Sequence, residues 1–548
     1  VIMSQKFNPE YFKKGCSILE MLPDNMKKSF YCITVNNRLR ELNYKPNSPD
    51  NINLLDLNDL EATHIFQNTL RFVIAMATHN LYPDERLRFS YNVSRSIYAY
   101  FVDSNIRLDT KVLRNIKNEV DRLIELDLPI ERTKAMSKEE AIKIYEMENA
   151  PDKIETLKYR PDKEVHLYQC QKYFNYMYGY MAPSTGYLNK FIIKPYSPGF
   201  LIQYPRSECN GEIPVFEDAP VFGKTLKISS LWAKKVGIDS IAGINNYVKK
   251  YGAIDFINMC ESHHNNMLAE LGEQIVSNLD QARLICIAGP SSSGKTTFSN
   301  RLRLELMSRG VKPIKISIDD FYLPKNQIPL DENGEPDLEC LQALDVPLFN
   351  QTMLSLIEGE EVQLPKFDFK LGKQVPGEII QIANDQPIII EGIHALNEDL
   401  TNLIPKHQKF KIYIAPQAQI NIDDHNPISL TDLRLVRRIV RDFQFRHSSA
   451  EETISMWPSV RRGEFRWIYK NQENADYVFN SLLPYELCIM KKYALPVLKQ
   501  IKSDSPYYIT ANRLVKFLKY FDDIEDVMVP NNSLMREFIG KSCFKEVN

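Results

Sequence analysis

An eight-residue segment, GPSSSGKT, constrains the fold of this chain more than any other feature. It covers residues 289–296 and matches the phosphate-loop pattern GxxxxGK[ST] at every fixed position. The apolar run LICIA, residues 284–288, is typical of a buried parallel strand, and residues 297–308 predict a helix that Gly310 ends. This order predicts a phosphate-binding loop in a parallel α/β domain; the alternative is a Gly-Ser loop that only turns the chain.

The residue types of this loop suit a nucleoside triphosphate with Mg²⁺. Gly289 and Gly294 let the backbone curl so that its N–H groups face phosphate oxygens, and the helix amino terminus adds partial positive charge. Lys295 can reach the β- and γ-phosphates, and the Thr296 hydroxyl can bind the metal. The predicted nucleotide-binding residues are Gly289, Pro290, Ser291, Ser292, Ser293, Gly294, Lys295, Thr296 and Thr297.

Two further apolar strands each end in an acidic residue. KPIKISI, residues 312–318, runs into Asp319, and PIII, residues 387–390, runs into Glu391. Ligands of an open α/β sheet bind beyond the carboxyl ends of its strands, so both side chains are expected beside the phosphates. Asp319 is predicted to accept the proton of an attacking hydroxyl, and Glu391 to hold Mg²⁺ through water. The structural alternatives are a turn or helix cap and a surface acid.

An arginine-rich helix predicted over residues 430–445 forms a second candidate feature. Most of its arginines share one face, and the run comprises Arg434, Arg437, Arg438, Arg441 and, beyond the helix, Arg446. Phosphoryl transfer needs positive charge that closes over the transferring group and excludes water. Arg441 and Arg446 are therefore predicted to lie on a lid; the alternative is a basic face exposed to solvent.

Composition excludes several other classes of protein. Hydrophobic residues make up 44% of the 548 residues and charged residues 25%, which disfavours a disordered chain. The 68 Lys and Arg against 70 Asp and Glu disfavour a strongly cationic nucleic-acid binder. Nine cysteines without a CxxC pair indicate a reduced intracellular chain. The apolar runs are too short to span a bilayer and no signal peptide is recognised, so we expect a cytoplasmic protein without a membrane partner. The chain begins with Val1, which leaves open a missing initiator or longer amino-terminal piece.

The hydrophobic pattern divides the chain into four parts. Residues 1–60 predict a small α+β module with two strands around the Asn36-Asn37 turn. Residues 61–228 predict a second α+β domain that begins with a helix over residues 65–81. Residues 229–279 indicate a helical connector, and residues 280–548 an α/β domain with a helical carboxyl-terminal extension.

Several motifs together resemble the uridine kinase and phosphoribulokinase group of P-loop kinases, in order and in spacing: GPSSSGKT, SIDDFYL, LPKFDF, IIIEGIHAL and RRIVRD. The resemblance covers roughly residues 280 to 490 and implies an α/β P-loop kinase that uses ATP and Mg²⁺ to phosphorylate a sugar hydroxyl. It implies that Asp319 is the catalytic base and that Asp345 binds ribose hydroxyls. It also implies substrate and lid contacts for Arg438, Arg441 and Arg446.

The acceptor-binding positions follow this group only in part. Pyrimidine nucleoside kinases of the group carry Tyr-Asp-Phe and then a His that read the base. The matching stretch here is Phe367-Asp368-Phe369, the His position is taken by Gly372, and a further lid arginine is replaced by Ser448. Phe367 and Asp368 are predicted to bind the acceptor, while its base specificity stays open.

The first half resembles other proteins. VNNRLREL with its flanking strands looks like the small TGS module, a β-grasp fold, and residues 63–225 look like the second additional domain of threonyl-tRNA synthetases. That domain carries a His-xxx-His pair and a later Cys and His, and the positions that match them here are Asn68, Phe72, Met177 and Met181. None of these can bind a metal as a His or thiolate does, so neither editing chemistry nor a zinc site is expected there.

The main prediction is an ATP- and Mg²⁺-dependent nucleoside kinase that phosphorylates the 5′-hydroxyl. Its predicted catalytic residues are Asp319, Lys295, Arg441 and Arg446, its acceptor residues are Asp345, Phe367, Asp368 and Arg438, and its metal residues are Thr296 and Glu391. A second hypothesis changes the acceptor to another sugar or small alcohol. A third makes the synthetase-like half a tRNA- or RNA-binding unit switched by nucleotide, which the near-neutral charge disfavours. Oligomeric state and the role of the first half stay open.

Overall fold

A computed structural model describes residues 5–330, 334, 336–368, 371–417 and 420–545. Phe369, the last residue of the predicted acceptor motif, lies outside these ranges. Within them, no helix combines the length and the hydropathy needed to cross a membrane.

A four-stranded antiparallel sheet opens the chain. Its strands, in spatial order, are Gln5–Lys6, Ile52–Leu55, Cys32–Val35 and Arg38–Arg40. Asn36 and Asn37 both adopt a positive φ, as a two-residue hairpin turn requires, and the predicted strand pair around them is confirmed. The short helix Ile18–Met21 contributes to the same hydrophobic core.

A long buried helix, Leu60–Leu81, leads into the second region. It begins earlier than the predicted Ile65 because the Asp59 carboxylate caps its amino terminus. The antiparallel strands around it are Ile192–Tyr196, Gly199–Gln203, Ser96–Val102 and Arg86–Val93 in one sheet, Tyr173–Asn175, Tyr168–Cys170 and Glu131–Arg132 in another, and the pair Met136–Ser137 and Glu164–Val165. The helices are Thr110–Glu125, Lys138–Met147 and Pro151–Leu157.

The predicted connector, residues 229–279, is helical and is covered by the helices Pro220–Val236, Ile241–Tyr251 and Ala253–Val276. The predicted boundary at residue 229 falls inside the first of these helices. The first starts at Pro220, where a proline is favoured at the first helical position. Phe256, Cys260 and Leu271 of the last helix are buried in the same core cluster as the strand before the phosphate loop. The connector is therefore part of the packing of the α/β region, not a free linker.

A five-stranded parallel sheet forms the centre of the carboxyl-terminal region. Its strands, in spatial order, are Ile314–Ser317, Ile388–Glu391, Leu284–Ala288, Lys409–Ala415 and Tyr477–Asn480. The helices of this region, in chain order, are Lys295–Ser308 (the loop helix), Val346–Ile357, Leu430–Phe445 (the arginine helix), Ala450–Gly463, Glu486–Leu498, Tyr508–Leu518 and Arg536–Ile539. A long hairpin pairs Val362–Asp368 with Lys373–Ile380. The prediction of a parallel α/β domain is confirmed.

A short hairpin, Asn421–Asp423 with Asn426–Pro427, precedes the arginine helix and packs against the second region; we call it the insert hairpin. Polar contacts to the second region include Phe89 N–H with the Asp424 carbonyl (2.8 Å), Arg71 Nη1 with the His425 carbonyl (2.9 Å), Tyr178 N–H with Asn426 Oδ1 (2.8 Å) and Lys153 Nζ with Asp423 Oδ1 (3.0 Å). The two halves of the chain are thus in direct contact beside the arginine helix.

Candidate active site

The phosphate loop joins the central strand of the sheet to the loop helix. Gly294 adopts a φ of +91°, a conformation that favours glycine. At Gly289 the requirement is steric, because a Cβ there would lie 2.0 Å from the Ile414 carbonyl oxygen of the neighbouring strand. Both glycines of the motif are therefore needed, for different reasons.

Several side chains of the loop offer polar atoms that no other described residue satisfies. The hydroxyls of Ser292, Ser293 and Thr297 are buried and find no hydrogen-bond partner within the described part of the chain. Buried polar groups in proteins nearly always have partners, so three orphaned hydroxyls in one loop point to an oxygen-rich ligand. These residues fit a bound phosphate.

Lys295 lies along the loop and faces the acidic residues of the cleft. Its ammonium donates to the carbonyl oxygens of Gly289 (3.0 Å) and Pro290 (3.4 Å). Its charge acts against the increase in the pKa of both Asp319 and Glu391. The loop cation and the two strand-end acids thus belong to one electrostatic cluster.

Glu391 ends the strand beside the loop strand and faces Thr296. The Thr296 hydroxyl donates to Glu391 Oε1 at 3.5 Å. Burial and the nearby Asp319 raise the pKa of Glu391 from 4.5 to about 7. Among the described residues, no three His, Cys, Asp or Glu side chains are grouped as a metal site. Mg²⁺ keeps several waters and needs only one or two carboxylates, so Thr296 and Glu391 suit it chemically.

Asp319 and Asp320 follow the edge strand Ile314–Ser317 and point to different neighbours. Asp320 accepts the Phe367 N–H of the long hairpin at 3.2 Å. Asp319 is exposed to solvent at the surface of the cleft. The surrounding protein nevertheless desolvates its carboxylate, and this desolvation raises its pKa. Lys295 and Arg446 act to lower the pKa of Asp319, whereas Lys366 is the cation that lowers the pKa of Asp320. Asp319 is therefore the acid of the pair that interacts with the loop cation.

Two arginines of the arginine helix hold the backbone of the phosphate loop. Arg434 Nη2 donates to the Ser291 carbonyl (2.9 Å) and the side chain pairs with buried Glu464. Arg437, which is fully buried, pairs with Glu486 at 2.6 Å and donates to the Ser292 carbonyl at 3.3 Å. The alternative of a solvent-exposed basic face is therefore wrong for this helix.

The other three arginines meet at Asp442, a buried carboxylate absent from the sequence prediction. Arg438 Nε donates to it at 3.1 Å and Arg438 Nη1 to Ser291 Oγ at 2.9 Å. Arg441 Nη2 lies 2.9 Å from Asp442, and Arg446 Nη1 lies 3.6 Å from it with a side chain that is 56% exposed. Asp442 thus anchors the arginines predicted to contact the transferring group.

The predicted acceptor residues make local contacts of their own. Asp345 accepts the Leu348 N–H at 3.0 Å and caps the helix Val346–Ile357, so its carboxylate has a structural role. Phe367 is buried and packs edge-on against Tyr322, 5.9 Å between ring centroids. Asp368 accepts the Leu371 N–H at 3.0 Å. Acceptor binding by Asp345, Phe367 and Asp368 stays a prediction.

Glu339 is a cleft acid that the sequence motifs do not single out. Burial and Glu464 raise its pKa to about 7, while Lys295 and Arg438 act in the opposite direction. Its side chain packs against Gly463, where a Cβ would lie 2.8 Å from that of Glu339. Glu339 lies in a loop, away from any strand end, which is why the rule that located Asp319 and Glu391 does not find it.

The interior of the second region around Asn68 is paired and packed. Asn68 Nδ2 donates to the carbonyls of Tyr178 (3.4 Å) and Tyr180 (3.3 Å), and its oxygen accepts from Arg71. The other three positions compared with metal ligands are apolar side chains, and all are buried: Phe72, Met177 and Met181. Asn68 therefore serves packing and hydrogen bonding within the fold.

The fold and the loop define the carboxyl-terminal region as a parallel α/β domain with a phosphate-binding loop. Residues 284–486 match the family model described as Phosphoribulokinase / Uridine kinase family. The chain is 29% identical over 180 residues to the uridine kinase of Brevibacillus brevis, which covers 33% of this chain and 75% of that protein. For the uridine kinase of Ureaplasma parvum the values are 27% over 177 residues, 32% and 77%.

A second set of relatives is of another kind. The chain is 28% identical over 178 residues to the threonine–tRNA ligase of Clostridium kluyveri. This match covers 32% of the present chain and only 28% of the ligase. The chain therefore spans little more than a quarter of the length of these relatives.

Proposed function

We propose that the protein is an ATP- and Mg²⁺-dependent kinase that transfers the γ-phosphoryl group of ATP to the 5′-hydroxyl of a nucleoside. The observation that carries this proposal is the convergence of the loop, its orphaned hydroxyls and the acids Asp319 and Glu391 around Lys295. The family match of residues 284–486 supports the kinase class, and the uridine kinase relatives favour a nucleoside acceptor.

The nucleotide side of the site uses the loop. ATP supplies the phosphoryl group, and Mg²⁺ neutralises charge on its phosphates when both are bound. The loop N–H groups and hydroxyls bind phosphate oxygens, and Lys295 exchanges its two backbone carbonyl partners for an anion, a stronger hydrogen-bond acceptor. Thr296 and Glu391 hold the metal, with Glu391 acting in its ionised form.

The acceptor side uses the other acids. Asp319 takes the proton of the attacking hydroxyl, and its raised pKa makes its ionised form a better proton acceptor. Glu339 faces the same cleft, and we add it to the predicted Asp345 as a candidate for binding acceptor hydroxyls. Arg441 and Arg446, anchored by Asp442, neutralise charge that develops during transfer.

The full-length protein with Mg²⁺-ATP and a panel of acceptors tests this proposal. ADP release is coupled to an optical readout, and the position of the new phosphate is read by NMR. We expect turnover with at least one nucleoside and a 5′-monophosphate product. No turnover with any nucleoside, together with turnover on a sugar or small alcohol, would contradict the nucleoside assignment while retaining the kinase.

An acceptor other than a nucleoside is the second candidate, and the turn at Gly372 favours it. Gly372 adopts a φ of +64°, and a Cβ there would lie 3.1 Å from Lys325 Cδ. The Lys325 N–H also donates to the Gly372 carbonyl at 3.1 Å. This turn carries no histidine to read a base, so the same panel includes sugars, sugar phosphates and small alcohols.

A further inference from the structure

The carboxyl-terminal residues 533–540, here called the latch segment, pack against the phosphate loop. A Cβ at Gly294 would lie 2.5 Å from Leu534 Cδ2, so this side chain fills the space beside the loop. The Arg437 guanidinium lies 4.9 Å from the centre of the Phe538 ring, and Gln444 Nε2 donates to the Phe538 carbonyl at 3.3 Å. The latch segment therefore contacts both the loop and the arginine helix.

Glu537 of the latch segment binds a backbone group of the loop helix. Its Oε2 accepts the Thr297 N–H at 2.9 Å, and the residue is only 8% exposed. This N–H belongs to the first turn, where backbone donors lack intrahelical partners and are available to phosphate oxygens. A carboxylate oxygen and a phosphate oxygen compete for this donor, and the Thr297 hydroxyl beside it finds no partner among the described residues.

The position of Glu537 is set by tertiary contacts of its neighbours. Arg536 Nη2 donates to the carbonyls of Asp526 (2.9 Å) and Val529 (2.5 Å). The Ser533 hydroxyl donates to Glu261 of the connector at 2.5 Å. The Glu537 charge also acts on Glu391, so it lies within electrostatic range of the proposed metal and phosphate positions.

We propose that Glu537 is an autoinhibitory contact: it occupies the Thr297 N–H, and it must release this donor before a nucleotide phosphate binds there. The inference rests on the proposed nucleotide-binding function of the loop. Release removes both the competing hydrogen bond and the like-charge repulsion. The contact lowers the affinity of the loop for nucleotide, and any change that loosens the latch segment raises that affinity.

Glu537→Gln removes the charge with little change in shape and can still accept the Thr297 N–H. Titration calorimetry of the full-length protein with Mg²⁺-ATP, without acceptor, measures the effect. We expect the affinity to rise about tenfold, because one fixed negative charge next to the phosphates is removed. Glu537→Asp, which keeps the charge, is expected to bind less tightly than Glu537→Gln.

The matched control is Glu525→Gln, because Glu525 pairs with Lys492 at 2.9 Å and its side chain is 66% exposed. It removes the same charge from the carboxyl-terminal region, and its affinity is expected to equal that of the wild type. Equal affinities for Glu537→Gln and the wild type, or weaker binding by Glu537→Gln, would overturn the proposal.

Hydrogen exchange of the wild type provides a measurement without substitution. Amides of residues 533–540 are expected to exchange faster when Mg²⁺-ATP is bound; unchanged or slower exchange contradicts release of the latch segment.

Nucleotide binding and turnover without an effect of Glu537→Gln would remove only this inference. A wild type and a Glu537→Gln variant that both fail to bind nucleotide would remove the proposed function and the latch with it.

Discussion

The phosphate loop and the interior around Asn68 both bury polar side chains, and they differ in whether these side chains have partners. Ser292, Ser293 and Thr297 present hydroxyls that no described residue satisfies. Asn68 has both of its polar atoms engaged, with two backbone carbonyls and Arg71. Unpaired polar atoms cost stability and are kept where a ligand binds, whereas paired ones hold the fold together.

The two halves also differ in whether they carry the functional residues of the families that they resemble. At the loop, the residue types needed for phosphate binding are present, and the hydroxyls of Ser292, Ser293 and Thr297 have no partner among the described residues. Around Asn68, side chains that cannot bind a metal occupy the corresponding positions, and Met177 is buried in a hydrophobic core. The feature of the second region to test is therefore its contact with the carboxyl-terminal region through the insert hairpin.

The largest expected effect is on catalysis at the loop. Asp319→Asn removes the proposed proton acceptor, and we expect turnover to fall 10²- to 10⁴-fold, roughly the contribution of a positioned general base, with ATP binding retained. The matched control is Asp320→Asn, because that neighbour bonds the Phe367 N–H and not the cleft. Steady-state kinetics with equal losses in the two variants would rule out a specific role for Asp319.

The next effect is on stability at the contact between the halves. Lys153 and Asp423 are almost fully buried and their charged groups lie 3.0 Å apart. Lys153→Met removes the cation paired with the buried Asp423 carboxylate, and we expect a loss of about 3–5 kcal/mol of unfolding free energy. The exposed pair Lys158 and Glu155 supplies the control, because Lys158→Met is expected to cost less than about 1 kcal/mol. Denaturant titration measures both, and a loss below that of Lys158→Met would argue against tight coupling of the halves.

A smaller effect concerns pH at Glu391. Its pKa is raised from 4.5 to about 7, so the folded protein holds the proton more tightly than the unfolded chain does. Stability associated with this group is therefore lost as the pH rises from about 4.5 to about 7. Glu391→Gln lacks this titration, and its stability relative to the wild type should increase over that interval by about 3 kcal/mol, since each tenfold change in proton affinity corresponds to about 1.4 kcal/mol.

Thermal and denaturant unfolding of the ligand-free protein at several pH values tests this expectation. A difference between wild type and Glu391→Gln that stays constant from pH 4.5 to pH 8 would show that Glu391 titrates normally. Addition of Mg²⁺-ATP should reduce the wild-type loss, because the bound metal favours the ionised carboxylate.

The smallest expected effects compare the two regions directly. Ser293→Ala removes a hydroxyl with no partner among the described residues and should change unfolding free energy by less than about 0.5 kcal/mol while it weakens ATP binding. Asn68→Ala breaks paired hydrogen bonds and should cost about 1–2 kcal/mol while ATP binding is unchanged. If Ser293→Ala is the more destabilising of the two variants, the distinction between an unpaired site and a paired interior is wrong.

Local features were predictable where a short segment decides the geometry. The predicted helix over residues 430–445 coincides with Leu430–Phe445, and the hairpin turn at Asn36-Asn37 is present. The starts of helices are predicted less accurately, as at Leu60, because a single capping residue outside the hydrophobic pattern decides where a helix begins. At Asp345 the resemblance predicts acceptor binding, which stays a prediction, and it does not reveal that this carboxylate caps the helix Val346–Ile357.

The amino-acid sequence by itself determined the phosphate loop, the acids at two strand ends and the arginine helix, because glycine conformations and apolar periodicity act over a few residues. Tertiary structure decided which polar groups stay free and which are paired. Arg437 has a structural role because it pairs with buried Glu486. Glu537 accepts the Thr297 N–H although the two residues lie far apart in the sequence. Such pairings depend on burial and on contacts between distant segments, which no local pattern encodes.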